Sequence, residues 1–222
     1  MKKYNNIPVI TIDGPSGVGK STLCGIIANK LNWSILESGM IYRLLASIIL
    51  KNNIPIIEKN IVSVLNNLDC SFFKINMQKK SLISQTIYLQ KVGETASKLA
   101  TFTKIRKILL NKQRCFRKFP GLIAEGRDMG TVVFPDAIIK FFLNADLKTR
   151  VFRRIKQFKK IGISINYIEL LEQLKIRDQR DQNRTISPLY PSKDAIILDS
   201  TNMTLSDIIK CLMKEIKKKI II

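Results

Sequence analysis

Short apolar runs alternate along this chain with longer segments in which apolar residues recur every three or four positions. The short runs predict buried strands, at residues 7–13, 33–38, 121–125, 138–143 and 195–199. The longer segments predict helices, at residues 20–31, 40–51, 94–118, 146–160, 166–184 and 204–219. Asp146, Asn166 and Thr204 are candidate N-cap residues for the last three helices. Because strands and helices alternate, we predict an α/β fold with a mostly parallel sheet covered by helices on both faces.

The segment 69–90 departs from this alternation. Its sequence, DCSFFKINMQKKSLISQTIYLQ, contains short apolar stretches separated by polar residues, a pattern that predicts short strands joined by turns. We therefore expect a small antiparallel insert within one α/β domain, and 222 residues suit a single domain of ordinary size.

The net charge is large and positive. The chain carries 38 basic and 17 acidic side chains, a formal net charge of +21. Such a charge is typical of proteins that bind nucleic acid. However, 27 of the basic residues are lysines scattered from Lys2 to Lys219, a distribution typical of solvated faces. We expect no nucleic-acid partner, although polynucleotide binding remains the alternative. The 11 arginines are more informative, because a guanidinium offers a planar, two-pronged donor to phosphate or carboxylate.

The residue types that are rare or missing narrow the chemistry. The sequence contains no histidine, which excludes Ser-His-Asp triads, HExxH metalloproteases and Cys-His zinc fingers. Its four cysteines form no CxxC pair, so we expect neither a zinc ribbon nor a disulfide framework, and a reducing compartment is favoured. The N-terminal apolar run is short and ends at Asp13, unlike a signal peptide, and no segment approaches the ~20 apolar residues of a membrane span. We expect a soluble, cytoplasmic protein with no membrane partner.

A glycine-rich motif follows the first predicted strand. Residues 14–22 read GPSGVGKST and fit the pattern G-x-x-x-x-G-K-[ST]. The backbone N–H groups of such a loop surround phosphate oxygens at the start of the next helix. Lys20 is then expected to reach the β- and γ-phosphates of ATP, and the Ser21 hydroxyl to help hold Mg²⁺. The residues predicted to bind ATP are Gly14, Pro15, Ser16, Gly17, Val18, Gly19, Lys20, Ser21 and Thr22.

The rest of the sequence excludes some classes of nucleotide-binding protein. A GTPase would also carry a D-x-x-G switch and an N-K-x-D base reader. None of the ten aspartates has a glycine three residues later, and N-K-x-D does not occur. The length leaves no room for a large motor or transporter around the loop, so a small phosphotransferase is favoured.

A small kinase must also hold an acceptor against the γ-phosphate and exclude water. The polar clusters that are candidates for holding the acceptor are ESGMIYR at 37–43, EGRDMGTVVFPDA at 125–137 and RDQRDQNR at 177–184. The first two follow predicted strands, as the phosphate loop does, so we expect all three to meet at one end of the sheet. In the last cluster Arg177, Asp181 and Arg184 share one helix face. Taken singly, each cluster also fits an ordinary surface turn or a solvated helix with ion pairs.

Together and in this order, ITIDGPSGVGKST, ESGMIYR, EGRDMGTVVFPDA and RDQRDQNR resemble the motifs of bacterial cytidylate kinases. The similarity runs from about residue 7 to about residue 215, and its last two motifs are more specific than the phosphate loop. The resemblance implies the P-loop NTPase fold of the nucleoside monophosphate kinases. It places the core at about residues 1–62 and 99–222, a monophosphate-binding insert at about 63–98 and a helical lid at about 154–188.

The resemblance also implies transfer of the ATP γ-phosphoryl group to CMP or dCMP, with Mg²⁺ as cofactor. It assigns the cytosine to Ser97, Arg106 and Asp128, which makes chemical sense because a carboxylate accepts from the exocyclic amine. It assigns catalysis by alignment and charge neutralisation to Lys20, Arg127 and Arg177, since the attacking phosphate oxygen is already ionised. The implied CMP site is Ser38, Tyr42, Arg43, Ser97, Arg106, Arg127, Asp128, Arg177, Asp181 and Arg184.

Two other functions stay open on the sequence alone. One is a P-loop kinase that acts on a different small acceptor, and the other is an ATP-dependent RNA-binding module that uses the +21 charge. The sequence has no heptad pattern and no long apolar stripe that would indicate a protein partner. We therefore expect a monomer whose partners are its nucleotide substrates.

Overall fold

The computed structural model describes residues 7–78, 90–160 and 162–220. All five predicted strands are present within one or two residues of their expected bounds. They are β1 Val9–Asp13, β2 Ser34–Glu37, β3 Leu122–Gly126, β4 Ile139–Asn144 and β5 Ile196–Asp199. The sheet has the order β2-β3-β1-β4-β5, and β1 pairs in parallel with both β3 and β4, as β4 does with β5. The predicted parallel sheet is therefore confirmed.

Helices connect these strands along the chain. Those in the described residues are α1 Lys20–Leu31, α2 Ser38–Lys51, α3 Glu58–Asn66, α4 Cys70–Gln78, α5 Gln90–Leu99, α6 Thr103–Arg114, α7 Leu147–Lys160, α8 Tyr167–Asn183 and α9 Leu205–Lys219. A turn of π-helix, Met129–Val133, follows β3. The three predicted N-caps are confirmed, since Asp146, Asn166 and Thr204 each accept a backbone N–H from the first turn of their helix. No helix in the described residues is long and apolar enough to cross a membrane.

The chain forms two compact units, one from Met1–Ile35 with Arg117–Ile222 and one from Leu36–Phe116. The first unit contains the main apolar core, in which Ile10 and Ile12 of β1 pack with Leu23 of α1 and Leu212 of α9. Within the same unit, α7 and α8 have a small core of their own, formed by Val151, Phe158, Leu170 and Leu174. In the second unit α2 packs against α5 and α4, and α3 packs against α6.

The strands predicted within 69–90 are wrong for residues 70–78, which form helix α4. Asp69 accepts a hydrogen bond from the Phe72 N–H at 2.7 Å, as an N-cap does. Phe73 and Met77, four residues apart, are the buried positions, so the apolar period is that of a helix rather than of a strand. Residues 79–89, where the rest of the antiparallel insert was predicted, lie outside the described residues.

The single helix predicted at 94–118 is two helices, α5 and α6, and α3 was not predicted. The break lies at residues 100–102, where Phe102 has extended backbone angles, φ −77° and ψ 124°. The hydroxyl of Thr101 donates to the Lys98 carbonyl oxygen at 2.7 Å. Such side-chain bonds to the backbone compete with helical hydrogen bonds and favour a helix end.

Candidate active site

The phosphate loop joins the end of β1 to the start of α1 and lies against the end of β4. Gly14, Gly17 and Gly19 have φ values of +145°, +84° and +97°, which favour glycine because they strain any residue with a Cβ. A Cβ on Gly14 would also lie 2.1 Å from the backbone oxygen of Leu143 in β4. The loop can therefore hold this path only with glycine at position 14.

The Lys20 side chain curls back onto this loop. Its Nζ donates to the carbonyl oxygens of Gly14 at 2.8 Å and Pro15 at 2.7 Å. Burial lowers the pKa of Lys20 to about 7 and the positive charge of Arg127 adds to this effect, against an opposing contribution from Glu125. A phosphate anion beside Lys20 would favour its charged form, so the loop combines backbone donors with a cation that gains from an anionic ligand.

Arg127 connects this loop to α8. It lies one residue beyond β3, and its Nη1 donates to the Gly14 carbonyl oxygen at 2.6 Å while its Nε donates to Asp181 Oδ2 at 2.7 Å. Burial acts to raise the pKa of Asp181, but Arg127 and Arg177 lower it overall. Burial acts to lower the pKa of Arg127, but Asp181 and Asp178 raise it overall. The pair is therefore charged at neutral pH, and the guanidinium is fixed beside the phosphate loop.

Ser21 and Glu125 form a hydrogen-bonded pair at the start of α1. The Ser21 hydroxyl donates to Glu125 Oε1 at 2.8 Å, and Glu125 is a buried residue of β3. Hydroxyl and carboxylate oxygens are the donors that Mg²⁺ prefers. The residues present thus fit a magnesium ion bound next to the phosphates.

The segment EGRDMGTVVFPDA (125–137) also contacts the segment RDQRDQNR (177–184). Asp128 Oδ1 lies 3.8 Å from Arg184 Nη2, and both side chains are almost fully buried. Arg177 and Asp181 lie on α8, whereas Arg184 caps its C-terminal end and also donates from Nε to the Ser187 carbonyl. Within the first unit, the phosphate loop and the EGRD segment meet, as expected from the strand ends that they follow, and the RDxxDxxR segment lies against both.

The other predicted CMP-site residues belong to the second unit. Ser38 begins α2, and its Oγ accepts a hydrogen bond from Gln113 Nε2 at 3.0 Å. One turn later Tyr42 is buried. Arg106, on α6, donates from Nη1 to the Ala100 carbonyl oxygen at 3.3 Å. The contacts of Ser38 and Arg106 therefore lie within their own unit.

Arg43 and Ser97 are related through Gly93. A Cβ on Gly93 would lie 3.1 Å from Arg43 Nη2, so the guanidinium of α2 rests directly on the backbone of α5. Ser97 is four residues beyond Gly93 on α5 and is buried. Residues four apart lie on one helix face, so Arg43 packs on the face of α5 that carries Ser97.

Sequence reasoning missed Arg150 and Arg153 of α7. Arg150 donates to the Ser16 carbonyl oxygen at 3.1 Å and pairs with Asp178 of α8 at 2.6 Å. Arg153 reaches the Val18 carbonyl oxygen at 3.4 Å and bonds Ser200. The available signal was the use of arginine in a chain whose usual cation is lysine.

Sequence reasoning also gave no role to Asp13, the last residue of β1. Its carboxylate accepts hydrogen bonds from the backbone N–H groups of Met129 at 2.9 Å and Gly130 at 2.8 Å. Burial raises the pKa of Asp13 to about 7, although these two hydrogen bonds oppose the rise.

Comparison with known proteins agrees with this arrangement. The family model described as cytidylate kinase matches residues 10–218. This chain belongs to the cytidylate kinase family. The cytidylate kinase of Buchnera aphidicola subsp. Baizongia pistaciae (strain Bp) is 53% identical over 98% of this chain and 97% of its own. Those of Sodalis glossinidius (strain morsitans) and Aeromonas salmonicida (strain A449) are each 47% identical over 91% of this chain and 92% and 90% of their own. The resemblance drawn from the four motifs is confirmed.

Proposed function

We propose that this member of the cytidylate kinase family transfers the γ-phosphoryl group of ATP to CMP or dCMP, giving ADP and CDP or dCDP. The observation that carries the proposal is the family match over residues 10–218. Curated cytidylate kinases at 46–53% identity over at least 90% of the chain support it. The phosphate loop and its surroundings are compatible with this chemistry.

The donor side is the phosphate loop. ATP phosphates bind backbone N–H groups of the loop 14–22, in which Pro15 has none to offer, and Lys20 exchanges its two carbonyl acceptors for phosphate oxygens. Ser21 and Glu125 are the residues that would hold Mg²⁺, directly or through water. When bound, the ion would neutralise part of the negative charge of the phosphates.

The acceptor residues are those that the family resemblance assigns. Asp128 accepts a hydrogen bond from the exocyclic amine of cytosine, and uracil is disfavoured because it offers an oxygen there. Ser97 and Arg106 complete the base site. The residues assigned to the sugar and phosphate of CMP are Ser38, Tyr42, Arg43, Arg127, Arg177, Asp181 and Arg184.

In the reaction, an ionised oxygen of the CMP phosphate forms a bond to the γ-phosphorus while the bond from that phosphorus to the β-bridging oxygen breaks. ADP leaves with the electron pair of the broken bond. No side chain has to take a proton from the acceptor, so Lys20, Arg127 and Arg177 act by alignment and charge neutralisation. We assign residues 154–188 to a lid that excludes water, and the separate core shared by α7 and α8 suits a segment that moves as one body.

The test is ADP release from Mg·ATP with CMP, dCMP, UMP and AMP supplied separately. We expect CMP and dCMP to be turned over at least about tenfold more efficiently than UMP or AMP. Lys20→Met should lose this turnover and Asp194→Asn, at an exposed partner of Lys140, should retain it. If no monophosphate accelerates ADP release, the proposed function is wrong. If another acceptor is preferred, the protein is a P-loop kinase of different specificity.

A further inference from the structure

Asp13 is a buried carboxylate that the proposed chemistry does not use. It is 5% exposed, and its two oxygens are engaged separately, Oδ1 by the Met129 N–H at 2.9 Å and Oδ2 by the Gly130 N–H at 2.8 Å. These donors belong to the first two residues of the π-helical turn, and N–H groups at the start of a helix lack partners within it. Asp13 therefore caps that turn from the neighbouring strand.

The segment that follows β3 fits closely against β1. Met129 is fully buried, and a Cβ on Gly130 would lie 2.9 Å from the Thr11 hydroxyl oxygen. Thr11 and Asp13 point to the same face of β1, because side chains two apart along a strand do so. β1 thus holds the turn in two ways. The backbone of Gly130 lies close to the Thr11 hydroxyl, and the two carboxylate oxygens of Asp13 accept hydrogen bonds from the turn.

Asp128 lies directly before this turn. Its backbone carbonyl accepts hydrogen bonds from the Val132 and Val133 N–H groups at 2.9 and 3.1 Å, and its side chain is buried beside Arg184. The direction of the Asp128 carboxylate therefore depends on where residues 129 and 130 are fixed, and Asp13 supplies the polar contacts that fix them.

We infer that Asp13 is a positioning residue for base selection, acting through the backbone of Met129 and Gly130 on the carboxylate of Asp128. The inference rests on the proposed function, in which Asp128 accepts a hydrogen bond from the cytosine amine. A misdirected acceptor loses its advantage for cytosine over uracil, because that advantage depends on hydrogen-bond geometry. ATP binds the phosphate loop at residues 14–22 and not the turn at 129–133, so its binding is affected less.

The central experiment compares wild type with Asp13→Asn, using CMP and UMP as acceptors at saturating Mg·ATP. Asparagine keeps the size of the side chain but turns an NH₂ group toward one of the two backbone donors. We expect the ratio of kcat/KM for CMP to that for UMP to fall about tenfold. The change should lie mainly in the KM for CMP, with the KM for ATP within about twofold. Asp207→Asn, at an exposed residue in the first turn of α9, is the matched control and should leave the ratio unchanged.

A double variant separates positioning from general damage. In an Asp128→Ala background, Asp13→Asn should have no further effect on base preference, since both act through the same carboxylate. Independent effects of the two changes on the ratio would overturn the inference. If Asp13→Asn does not fold, Gly130→Ala displaces the same turn from its other side with Asp13 intact. An unchanged CMP-to-UMP ratio in that variant would equally overturn it.

Hydrogen exchange tests the inference without substrate. The amides of Met129 and Gly130 should exchange at least about tenfold faster in Asp13→Asn than in wild type. Equal exchange in the two proteins means that Asp13 does not hold the turn, and the inference fails whatever the enzyme phosphorylates. A wild-type protein that does not use CMP would instead refute the proposed function, and the base-selection role with it, even if exchange changes as expected.

Discussion

Arg150 and Asp178 form an ion pair that joins α7 to α8, with Nη1 2.6 Å from Oδ2 and the side chains only 7% and 14% exposed. The same guanidinium donates from Nε to the Ala145 carbonyl oxygen at 3.0 Å and from Nη1 to the Ser16 carbonyl oxygen at 3.1 Å. One arginine thus connects the end of β4, the phosphate loop and α8. The part of the chain assigned to the lid is therefore linked to the loop that it would cover.

We predict that Asp178→Asn lowers the free energy of unfolding by about 3 kcal/mol, because it leaves the buried Arg150 without its counter-ion. Urea unfolding at neutral pH measures the change. The matched control is Asp194→Asn, since the Lys140–Asp194 pair has one carboxylate that is 64% exposed and should contribute less than about 1 kcal/mol. Equal effects of the two substitutions would contradict the importance assigned to burial.

The sequence was sufficient for the sheet and for the loop because both depend on local patterns. The buried strand ending at Asp13 and the glycines of residues 14–19 are readable from neighbouring residues alone. The same holds for the three helix caps, each of which bonds a backbone group two or three residues away. Local prediction failed at residues 70–78, where apolar residues at 72, 73, 75 and 77 satisfy both a strand and a helix period.

The roles of Asp13 and Arg150 depend on contacts between residues far apart in the chain. Asp13 bonds N–H groups 116 and 117 residues away, and Arg150 reaches a carbonyl 134 residues away. Asp13 belongs to the motif ITIDGPSGVGKST and Arg150 is one of the few arginines, but neither signal gives a role, because a carboxylate at a strand end and an arginine on a helix each also fit a solvent-exposed surface. Only the tertiary fold shows that both are buried and bonded to the backbone.

We predict opposite effects for two glycine substitutions near the phosphate loop. Gly14→Ala places a Cβ 2.1 Å from a β4 carbonyl oxygen at a φ of +145°, so ATP binding should be lost and the Tm lowered. Gly25→Ala, within α1, places its Cβ where nothing lies within 4 Å, and should stabilise the protein by about 0.5–1 kcal/mol. Thermal unfolding and ATP titration measure both effects. A Gly14→Ala protein that binds ATP normally would refute the close approach to β4.

We predict that Asp181→Asn lowers kcat at least about tenfold. Arg127 would keep its bond to the Gly14 carbonyl but lose the charged partner at 2.7 Å that orients its Nε. Steady-state kinetics with CMP and Mg·ATP measure the change. Asp207→Asn, at an exposed residue in the first turn of α9, is the control and should change kcat less than about twofold. An unaltered kcat in Asp181→Asn would show that Arg127 needs no orienting carboxylate.

The stability of the protein should depend on pH through Lys20. Burial lowers the pKa of Lys20 from 10.5 to about 7 in the folded protein. Between these two values the unfolded chain binds more protons at this residue than the folded chain does, so its contribution to stability rises with pH in that range. Below pH 7 the folded protein carries the full cost of a buried ammonium group, and above pH 7 that cost is progressively removed.

Lys20→Met lacks this titration and provides the comparison. The free energy of unfolding of Lys20→Met minus that of wild type should be largest at pH 7 and below, and should decrease by about 2 kcal/mol between pH 7 and pH 9. Urea unfolding of both proteins at the two pH values measures this difference, in which the titrations of groups that do not interact with Lys20 cancel, whereas that of Asp13, which does interact with Lys20, contributes. A difference that is independent of pH would mean that Lys20 keeps its ordinary pKa in the folded protein. In that case Lys20 of the wild type would already be an ordinary ammonium group before phosphate binds. The loss of turnover expected for Lys20→Met would then be explained by the missing positive charge alone.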